Sequence, residues 1–204
     1  MDLNQTWETY LLDNGADFVR FVDTSPLPPE ITNEYSCAVL FGRILSKNYL
    51  KCIGDGVKPE RDEFSKAEHA MDALVKKLAE KLTLEGHKSV TGIKSVRLPH
   101  KTIARLAGLG FIGKNTLLVT EDYGCGLALG KVLTAAPFTI QHATPIEPQC
   151  GDCKACADVC EPRALSGKMW SLTTSRDEML TRKLCTFCLL CMVNCPYTVR
   201  YMES

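Results

Sequence analysis

Two stretches near the end of the chain decide its interpretation: residues 150–160 read CGDCKACADVC, and residues 185–196 read CTFCLLCMVNCP. Each contains four cysteines spaced C-x2-C-x2-C-x3-C, and the second ends on Pro196. Three thiolates two residues apart can surround one metal cluster within a short loop. The fourth, three residues farther on, is carried away into the start of a helix and can reach a neighbouring cluster. The doubled spacing therefore predicts two metal clusters that exchange one ligand each.

This spacing is the ligand pattern of a bacterial-type ferredoxin with two [4Fe-4S] clusters. One cluster takes Cys150, Cys153, Cys156 and Cys195, and the other takes Cys185, Cys188, Cys191 and Cys160. Zinc knuckles and a disulfide framework are weaker alternatives. Zinc sites use four ligands in paired C-x2-C units, and disulfide scaffolds belong to secreted chains. One departure is that Glu161 separates Cys160 from Pro162.

Length and composition bound what accompanies the clusters. The chain has 204 residues, which is long for a ferredoxin module alone. Its 24 Lys+Arg balance 24 Asp+Glu, so no global field attracts nucleic acid or an anionic membrane. The start lacks signal-peptide features, and no apolar run is long enough to cross a bilayer. Eight cluster cysteines, together with the remaining Cys37, Cys52 and Cys125, fit a reducing compartment better than an oxidising one. We therefore expect a cytoplasmic protein with no membrane partner.

The first part of the chain alternates helical and extended patterns. Helical spacing predicts helices over residues 4–14 and 61–84 and again from Ile103 through Leu106 into the glycine-rich residues 107–115, whereas residues 45–59 look irregular. Extended segments are predicted over residues 17–23, 37–42, 89–99, 116–120 and 127–135. A proline-containing linker opens at Pro137. We predict an α/β (α+β) fold with helices on a mostly antiparallel or mixed sheet, divided into domains 1–140 and 141–204.

A glycine-rich stretch precedes the cysteines and reads Gly108-Leu109-Gly110-Phe111-Ile112-Gly113-Lys114-Asn115. It is neither a G-x-G-x-x-G fingerprint nor a Walker loop, because the third glycine comes one residue early. Three glycines let another group approach the backbone closely, and Lys114 could neutralise a phosphate or a carboxylate. A tight helix-to-strand turn with a surface lysine accounts for the same residues equally well.

The glycine stretch continues through residues 116–124 and 129–137 (TLLVTEDYG and LGKVLTAAP) into the doubled cysteine run. In this combination, residues from about 99 to 196 resemble the core of the epoxyqueuosine reductase family, which is related to the reductive dehalogenases. The resemblance implies a nitroreductase-like α/β sandwich followed by a bacterial-ferredoxin-like module. It also implies a cobalamin on the first domain and two [4Fe-4S] clusters that supply electrons to it. The first 95 residues match only loosely.

Two departures from that family affect the expected activity. The family carries an aspartate, its proton donor, shortly before the glycine stretch, whereas residues 95–101 of this chain read SVRLPHK. The tRNA-modifying members also continue past the clusters into a helical-repeat region, whereas this sequence ends at Ser204. We therefore expect a short, divergent member that lacks this region, and a tRNA partner is doubtful.

Residues near these departures are the candidates for catalysis. His100 is the first candidate proton donor, because imidazole titrates near neutrality and lies where the family keeps its acid, and Lys101 is the second. A helix-start histidine without chemistry is an equally weighted alternative. The resemblance assigns cofactor binding to the glycine stretch: Gly108, Leu109, Gly110, Phe111, Gly113, Lys114 and Asn115. Cys125 is expected to be a small buried cysteine rather than a reactive thiol.

Three functions remain open from the sequence. The first is a cobalamin-dependent iron–sulfur reductase that resembles epoxyqueuosine reductase and acts on an unidentified small-molecule or protein-bound acceptor. The second is a ferredoxin-type electron-transfer or activating protein that reduces a partner's cofactor. The third is a corrinoid-binding protein without its own turnover. The expected partner is an electron-donor protein such as a ferredoxin or flavodoxin.

Overall fold

The computed structural model describes residues 2–32, 35–57, 59, 62–91 and 99–204. These residues form two compact units. The first contains Met1–Ile44, Phe64–Gly108 and Ala128–Pro145, and the second contains Leu45–Glu63, Leu109–Leu127 and Ile146–Ser204. The cysteine runs and most of the glycine stretch therefore belong to one unit. A domain boundary after residue 140 stays a prediction.

Helices and strands alternate along the part of the chain that the structure describes. The helices are α1 (Leu3–Asp13), α2 (Pro29–Thr32), α3 (Lys47–Gly54), α4 (Glu63–Leu84), α5 (His100–Leu106), α6 (Ala155–Asp158), α7 (Arg176–Met179), α8 (Leu190–Val193) and α9 (Pro196–Glu203). The strands are β1 (Phe18–Asp23), β2 (Cys37–Ile44), β3 (Ser89–Val90), β4 (Phe111–Ile112), β5 (Leu118–Val119) and β6 (Leu127–Thr134).

The first unit is built on a four-stranded sheet in the order β1-β2-β6-β3. β1 and β2 are antiparallel with Phe21 opposite Val39, and β3 pairs antiparallel with β6. The two central strands are almost wholly buried, as expected for strands covered on both faces. The predicted mixture of helices with an antiparallel or mixed sheet is confirmed.

The helices of the first unit bury one face each. α1 buries Trp7 and Leu11, and α4 buries a stripe of seven residues: Ala67, Met71, Leu74, Val75, Leu78, Ala79 and Leu82. Val75 packs so near β6 that a Cβ on Gly130 would lie 2.9 Å from its Cγ2. The helix predicted over residues 4–14 is confirmed. So is the second long helix, from Glu63 onward.

Some predicted elements differ from the structure. Residues 45–59 are not irregular, because α3 occupies most of them, with the Ser46 hydroxyl accepting the Tyr49 N–H. Helical spacing past Leu106 was expected to run on into the glycines, but α5 ends there. The strand predicted over 116–120 is only the two residues of β5. Most of the extended segment over 89–99 lies outside the described residues.

The second unit repeats a small motif around the two cysteine runs. α6 begins at Ala155, five residues after Cys150, and α8 begins at Leu190, five residues after Cys185. The two short helices pack against each other, and α3 and α9 also pack together within this unit. The doubling seen in the sequence is therefore a doubling of local structure. An antiparallel hairpin of β4 and β5 completes the unit.

Candidate metal centres

The first cysteine cavity has a volume of about 210 Å³. Its lining includes three cysteines of the first run and the last cysteine of the second: Cys150, Cys153, Cys156 and Cys195. Phe111 and Tyr197 also line it, with their rings edge to face at a centroid distance of 5.5 Å. The Tyr197 hydroxyl donates to Gln149 Oε1 at 2.9 Å. These four thiols form the set that the spacing assigns to one cluster.

The second cysteine cavity has a volume of about 100 Å³. It is lined by the other four thiols, which are Cys160, Cys185, Cys188 and Cys191. None of these four is buried, whereas Cys156 and Cys195 of the first cavity are. Each cavity also has one exposed thiol, Cys153 in the first and Cys188 in the second.

Left-handed backbone turns shape the loops that present the thiols. Phe187 and Leu189, on either side of Cys188, have φ angles of 56° and 62°, and Gly151 beside Cys150 has a φ of 46°. A non-glycine residue in this region costs of order 1 kcal/mol or more, so two of them around one cysteine indicate a constrained loop. Such strain is typical of ligand loops, where it turns successive side chains toward one point.

The weaker sequence alternatives find no support in this geometry. All eleven cysteines lie among the described residues, and all are free thiols. Within the described ranges, no three His, Cys, Asp or Glu side chains converge closely enough to hold a single metal ion. A zinc ion needs four ligands at one point, whereas here each set of four thiols surrounds a cavity. The arrangement suits a larger inorganic cluster better than one ion.

Cys195 occupies the start of helix α9. It is the N-cap residue of the helix and directly precedes Pro196. Hydrogen bonds from the Cys125 thiol and from the N–H groups of Tyr197 and Thr198 lower the Cys195 pKa to about 7. In the second cavity, Cys160 Sγ accepts the Ala164 N–H at 3.3 Å. Both donor sets favour thiolate ligands.

Burial has the opposite effect on other thiols. It raises the pKa of Cys156 to about 11 and that of Cys191 to about 12, and the negative charge of neighbouring cysteines adds to the shift. Free thiols at these positions therefore stay protonated at neutral pH. A bound cation reverses this preference, because it stabilises the thiolate directly.

Four residues of the glycine stretch lie at the first cavity: Phe111, Gly113, Lys114 and Asn115. Lys114 Nζ donates to the carbonyl oxygens of Gly151 and Cys153 at 2.7 and 3.1 Å. It thereby holds the first cysteine loop. Asn115 is 4% exposed and lines both cavities. Corrinoid binding by the glycine stretch stays a prediction.

The glycines are required by close packing inside the chain. A Cβ on Gly110 would lie 2.2 Å from the carbonyl oxygen of Val119, and one on Gly113 would lie 2.8 Å from Asn115 Oδ1. Gly108 ends the turn after α5 with a φ of 64°. Leu109 follows it as a half-buried residue. The tight-turn interpretation therefore has direct structural support.

The candidate proton donors begin helix α5 in the first unit. Burial, and then the positive charge of buried Lys131, lower the pKa of His100 to about 4. The imidazole is therefore neutral at pH 7, and its buried Nδ1 has no hydrogen-bond partner within the described structure. His100 and Lys101 are not among the residues that line the two cysteine cavities. Their catalytic role stays a prediction.

Sequence reasoning missed two residues near the first cavity, Gln149 and Thr198. Gln149 precedes Cys150 and could have been found by its adjacency to the motif. The sequence could not show that Thr198 meets Cys125, because the two come together from positions 73 residues apart: the Cys125 N–H donates to Thr198 Oγ1 at 2.9 Å.

With both cavities defined, comparison with known proteins identifies the family. No family profile matches the chain. An epoxyqueuosine reductase from Lactococcus garvieae (strain Lg2) is 30% identical over 167 residues, which cover 69% of this chain and 47% of the relative. The chain belongs to an epoxyqueuosine reductase-like family. It spans about half the length of that Lactococcus relative.

Solved structures agree on the fold of this epoxyqueuosine reductase-like chain. An epoxyqueuosine reductase crystallised with an epoxyqueuosine-modified tRNA-Tyr stem loop gives a TM-score of 0.62 at 16% identity, covering 97% of this chain and 65% of that one. The catabolic reductive dehalogenase NpRdhA gives a TM-score of 0.64 at 17% identity, covering 93% and 31%. Among the described residues, no helix has the length and apolar character that a membrane span requires.

Proposed function

We propose that this chain is an iron–sulfur oxidoreductase that holds a [4Fe-4S] cluster in each cysteine cavity. One observation carries the proposal: each cavity is lined by three cysteines of one run and the fourth cysteine of the other. This exchange is the ligand arrangement of two-cluster ferredoxins. We extend the proposal to a ferredoxin-like cluster module attached to a nitroreductase-like α/β sandwich.

The chain's own residues prepare the cavities for these groups. When bound, two [4Fe-4S] clusters supply electrons one at a time, and a corrinoid, which the family resemblance implies, would deliver them to an acceptor. Lys114 fixes the first cysteine loop through its two carbonyl contacts. Phe111 and Tyr197 shield the first cavity from water, which lowers the local dielectric around its ligands.

The residues predicted to bind a corrinoid give that part of the proposal less support. The side chain of Asn115 donates to Cys125 Sγ and to the Cys191 carbonyl oxygen, and its Oδ1 accepts the Leu117 N–H. Its polar atoms are thus engaged within the chain. The corrinoid rests on the family resemblance.

A proton must accompany electrons that reduce an organic acceptor. His100 is neutral at pH 7 because its pKa is near 4, so it could pass on a proton only as a relay, which takes up a proton on one ring nitrogen as it gives one from the other. Lys101 follows it in the first turn of the same helix. We keep His100 as the first candidate and Lys101 as the second, with His100→Ala as the test in a substrate assay.

Exposed apolar side chains favour the second cavity as the side that receives an electron-donor protein. Cys188 is exposed there, and the neighbouring side chains of Phe187 and Leu184 are 66% and 47% exposed. The acceptor is a separate question. Because one solved relative binds a tRNA stem loop, tRNA joins the small-molecule and protein-bound acceptors to be tested.

Anaerobic purification with iron analysis and EPR tests the cluster proposal. We expect about eight irons per chain and two reduced [4Fe-4S] signals. Cys195→Ser should alter the same signal as Cys153→Ser, whereas Cys160→Ser should alter the same signal as Cys188→Ser. Cys37→Ser is the matched control, because it changes a buried thiol of β2 that lines neither cavity. Stoichiometric zinc in place of iron, or Cys195 and Cys153 affecting different signals, would contradict the proposal.

Addition of cobalamin to the same protein separates the functional alternatives. A base-off cob(II)alamin signal would support a corrinoid-dependent reductase or a corrinoid-binding protein. If the protein held two intact clusters but did not bind cobalamin, electron transfer to a partner would remain as its function.

A further inference from the structure

Cys125 has no role in the proposed function, yet it lies directly beside a cluster ligand. Its side chain is 2% exposed. Asn115 Nδ2 donates to its Sγ at 3.2 Å, and its backbone N–H donates at 2.9 Å to Oγ1 of Thr198, three residues after Cys195. Side-chain hydrogen bonding between the Cys125 and Cys195 thiols is the largest cause of the lowered Cys195 pKa. The thiol is therefore held in place from several sides.

The direction of the bond between the two sulfurs follows from the chemistry of ligation. A cysteine that binds iron is a thiolate and has no proton to donate, so Cys195 must accept. The amide of Asn115 is oriented by the Leu117 N–H, which donates to Oδ1 at 3.1 Å. Its nitrogen therefore faces Cys125 as a donor, which leaves the Cys125 S–H free to donate to Cys195.

We infer that Cys125 is a positioning residue that donates a hydrogen bond to the Cys195 thiolate and raises the reduction potential of the cluster in the first cavity. The reduced cluster carries one more negative charge than the oxidised cluster. A hydrogen bond to a ligand sulfur stabilises the more negative state to a greater degree. The inference rests on the proposed function, because it requires a cluster in that cavity.

The two cavities differ in this respect, which makes the inference specific. In the second cavity, the ligand supplied by the other run is Cys160, and its sulfur accepts a backbone N–H from Ala164. A substitution at Cys125 removes no donor from Cys160. Only the potential of the first cluster should respond strongly.

An EPR-monitored redox titration of the iron-loaded full chain tests the inference. In Cys125→Ala, the oxidised-to-reduced ratio of one cluster at a fixed potential should rise roughly tenfold, equivalent to a fall of about 59 mV for a one-electron couple. Cys125→Ser keeps an O–H donor and should remain within about 1.5-fold of the wild type, equivalent to about 10 mV. Cys125→Val fills the space of the thiol without a donor and should behave like alanine. Cys37→Ala is the control for loss of a buried thiol elsewhere.

Each outcome decides between the inference and its alternatives. Unchanged potentials in Cys125→Ala or Cys125→Val with eight irons retained would overturn it, as would equal shifts in the serine and alanine variants. Iron loss from both apolar variants, with full retention in the serine variant, would support the need for a donor. Iron loss from all three would overturn it. A wild-type chain without iron would instead refute the proposed function itself.

Discussion

Asn115 connects the two cavities through a single buried amide. It reaches Cys125, ten residues away, and the carbonyl oxygen of Cys191, 76 residues away. The glycine stretch drew attention to this residue in the sequence, but only as a candidate for cofactor binding. Its actual partners could not be predicted, because they depend on how distant segments pack. Local spacing carries no information about such contacts.

The low pKa of His100 predicts a dependence of stability on pH. An unfolded histidine titrates near pH 6.5, so protonation below that pH favours the unfolded chain until the folded-state pKa near 4 is reached. Stability is therefore full above about pH 6.5 and is lost as pH falls. Between pH 7.5 and 5.5, the free energy of unfolding should fall by roughly 1 kcal/mol less in His100→Gln than in the wild type. Anaerobic urea unfolding at each pH measures the difference.

A matched variant isolates the effect of burial. His142→Gln changes an exposed histidine of the same unit and should leave the wild-type pH dependence in place. Lys131 does not affect this comparison. Burial lowers its pKa to about 8, so its contribution to the free energy of unfolding changes mainly above that pH. Identical pH profiles for the wild type and His100→Gln would contradict the burial of a neutral imidazole.

At the scale of elements, the hairpin of β4 and β5 depends on the absence of a side chain at Gly110. Gly110→Ala should destabilise the protein by about 1–3 kcal/mol or more, because its Cβ would meet a backbone oxygen that cannot rotate away. Differential urea unfolding of the iron-loaded chain measures this loss.

Gly54→Ala is the control for that variant, since Gly54 lies at the end of α3 with only Val193 Cγ2 at 4.0 Å from a new Cβ. It should be neutral or slightly stabilising, because alanine favours helix. If Gly110→Ala unfolded at the same urea concentration as the wild type, the hairpin would have to be looser than described.

The same scale shows which elements a sequence can predict. α4 is long enough for its apolar stripe to repeat six times over, and β2 is a continuous apolar run, so both were predicted. α3 has only eight residues, too few for periodicity to stand out. It is stabilised by capping at Ser46, whose N–H and hydroxyl both donate to the Glu63 carboxylate at 2.6 Å, and by packing against α8 and α9. Those contacts appear only in the folded chain.

For the whole molecule, balanced charge means that any attraction of a donor protein must be local. Arg182 and Lys183 are exposed and precede the apolar pair Leu184 and Phe187. An acidic one-electron carrier such as flavodoxin would meet a basic and apolar surface beside exposed Cys188. Reversing both charges, in Arg182→Glu/Lys183→Glu, should slow oxidation of reduced flavodoxin by the iron-loaded chain about tenfold at low salt, measured by stopped flow.

Salt and a second charge reversal distinguish local attraction from net charge. Lys76→Glu/Lys77→Glu changes the total charge equally on the exposed face of α4, in the first unit, and should leave the rate nearly unchanged. High salt should bring the rate of the Arg182→Glu/Lys183→Glu variant close to that of the wild type, because exposed charges are screened within a few ångströms at 1 M. Equal slowing in both double variants would mean that net charge governs encounter. No slowing in either would place the donor on another surface, and the exposed apolar pair Leu184 and Phe187 would then have to serve something other than electron entry.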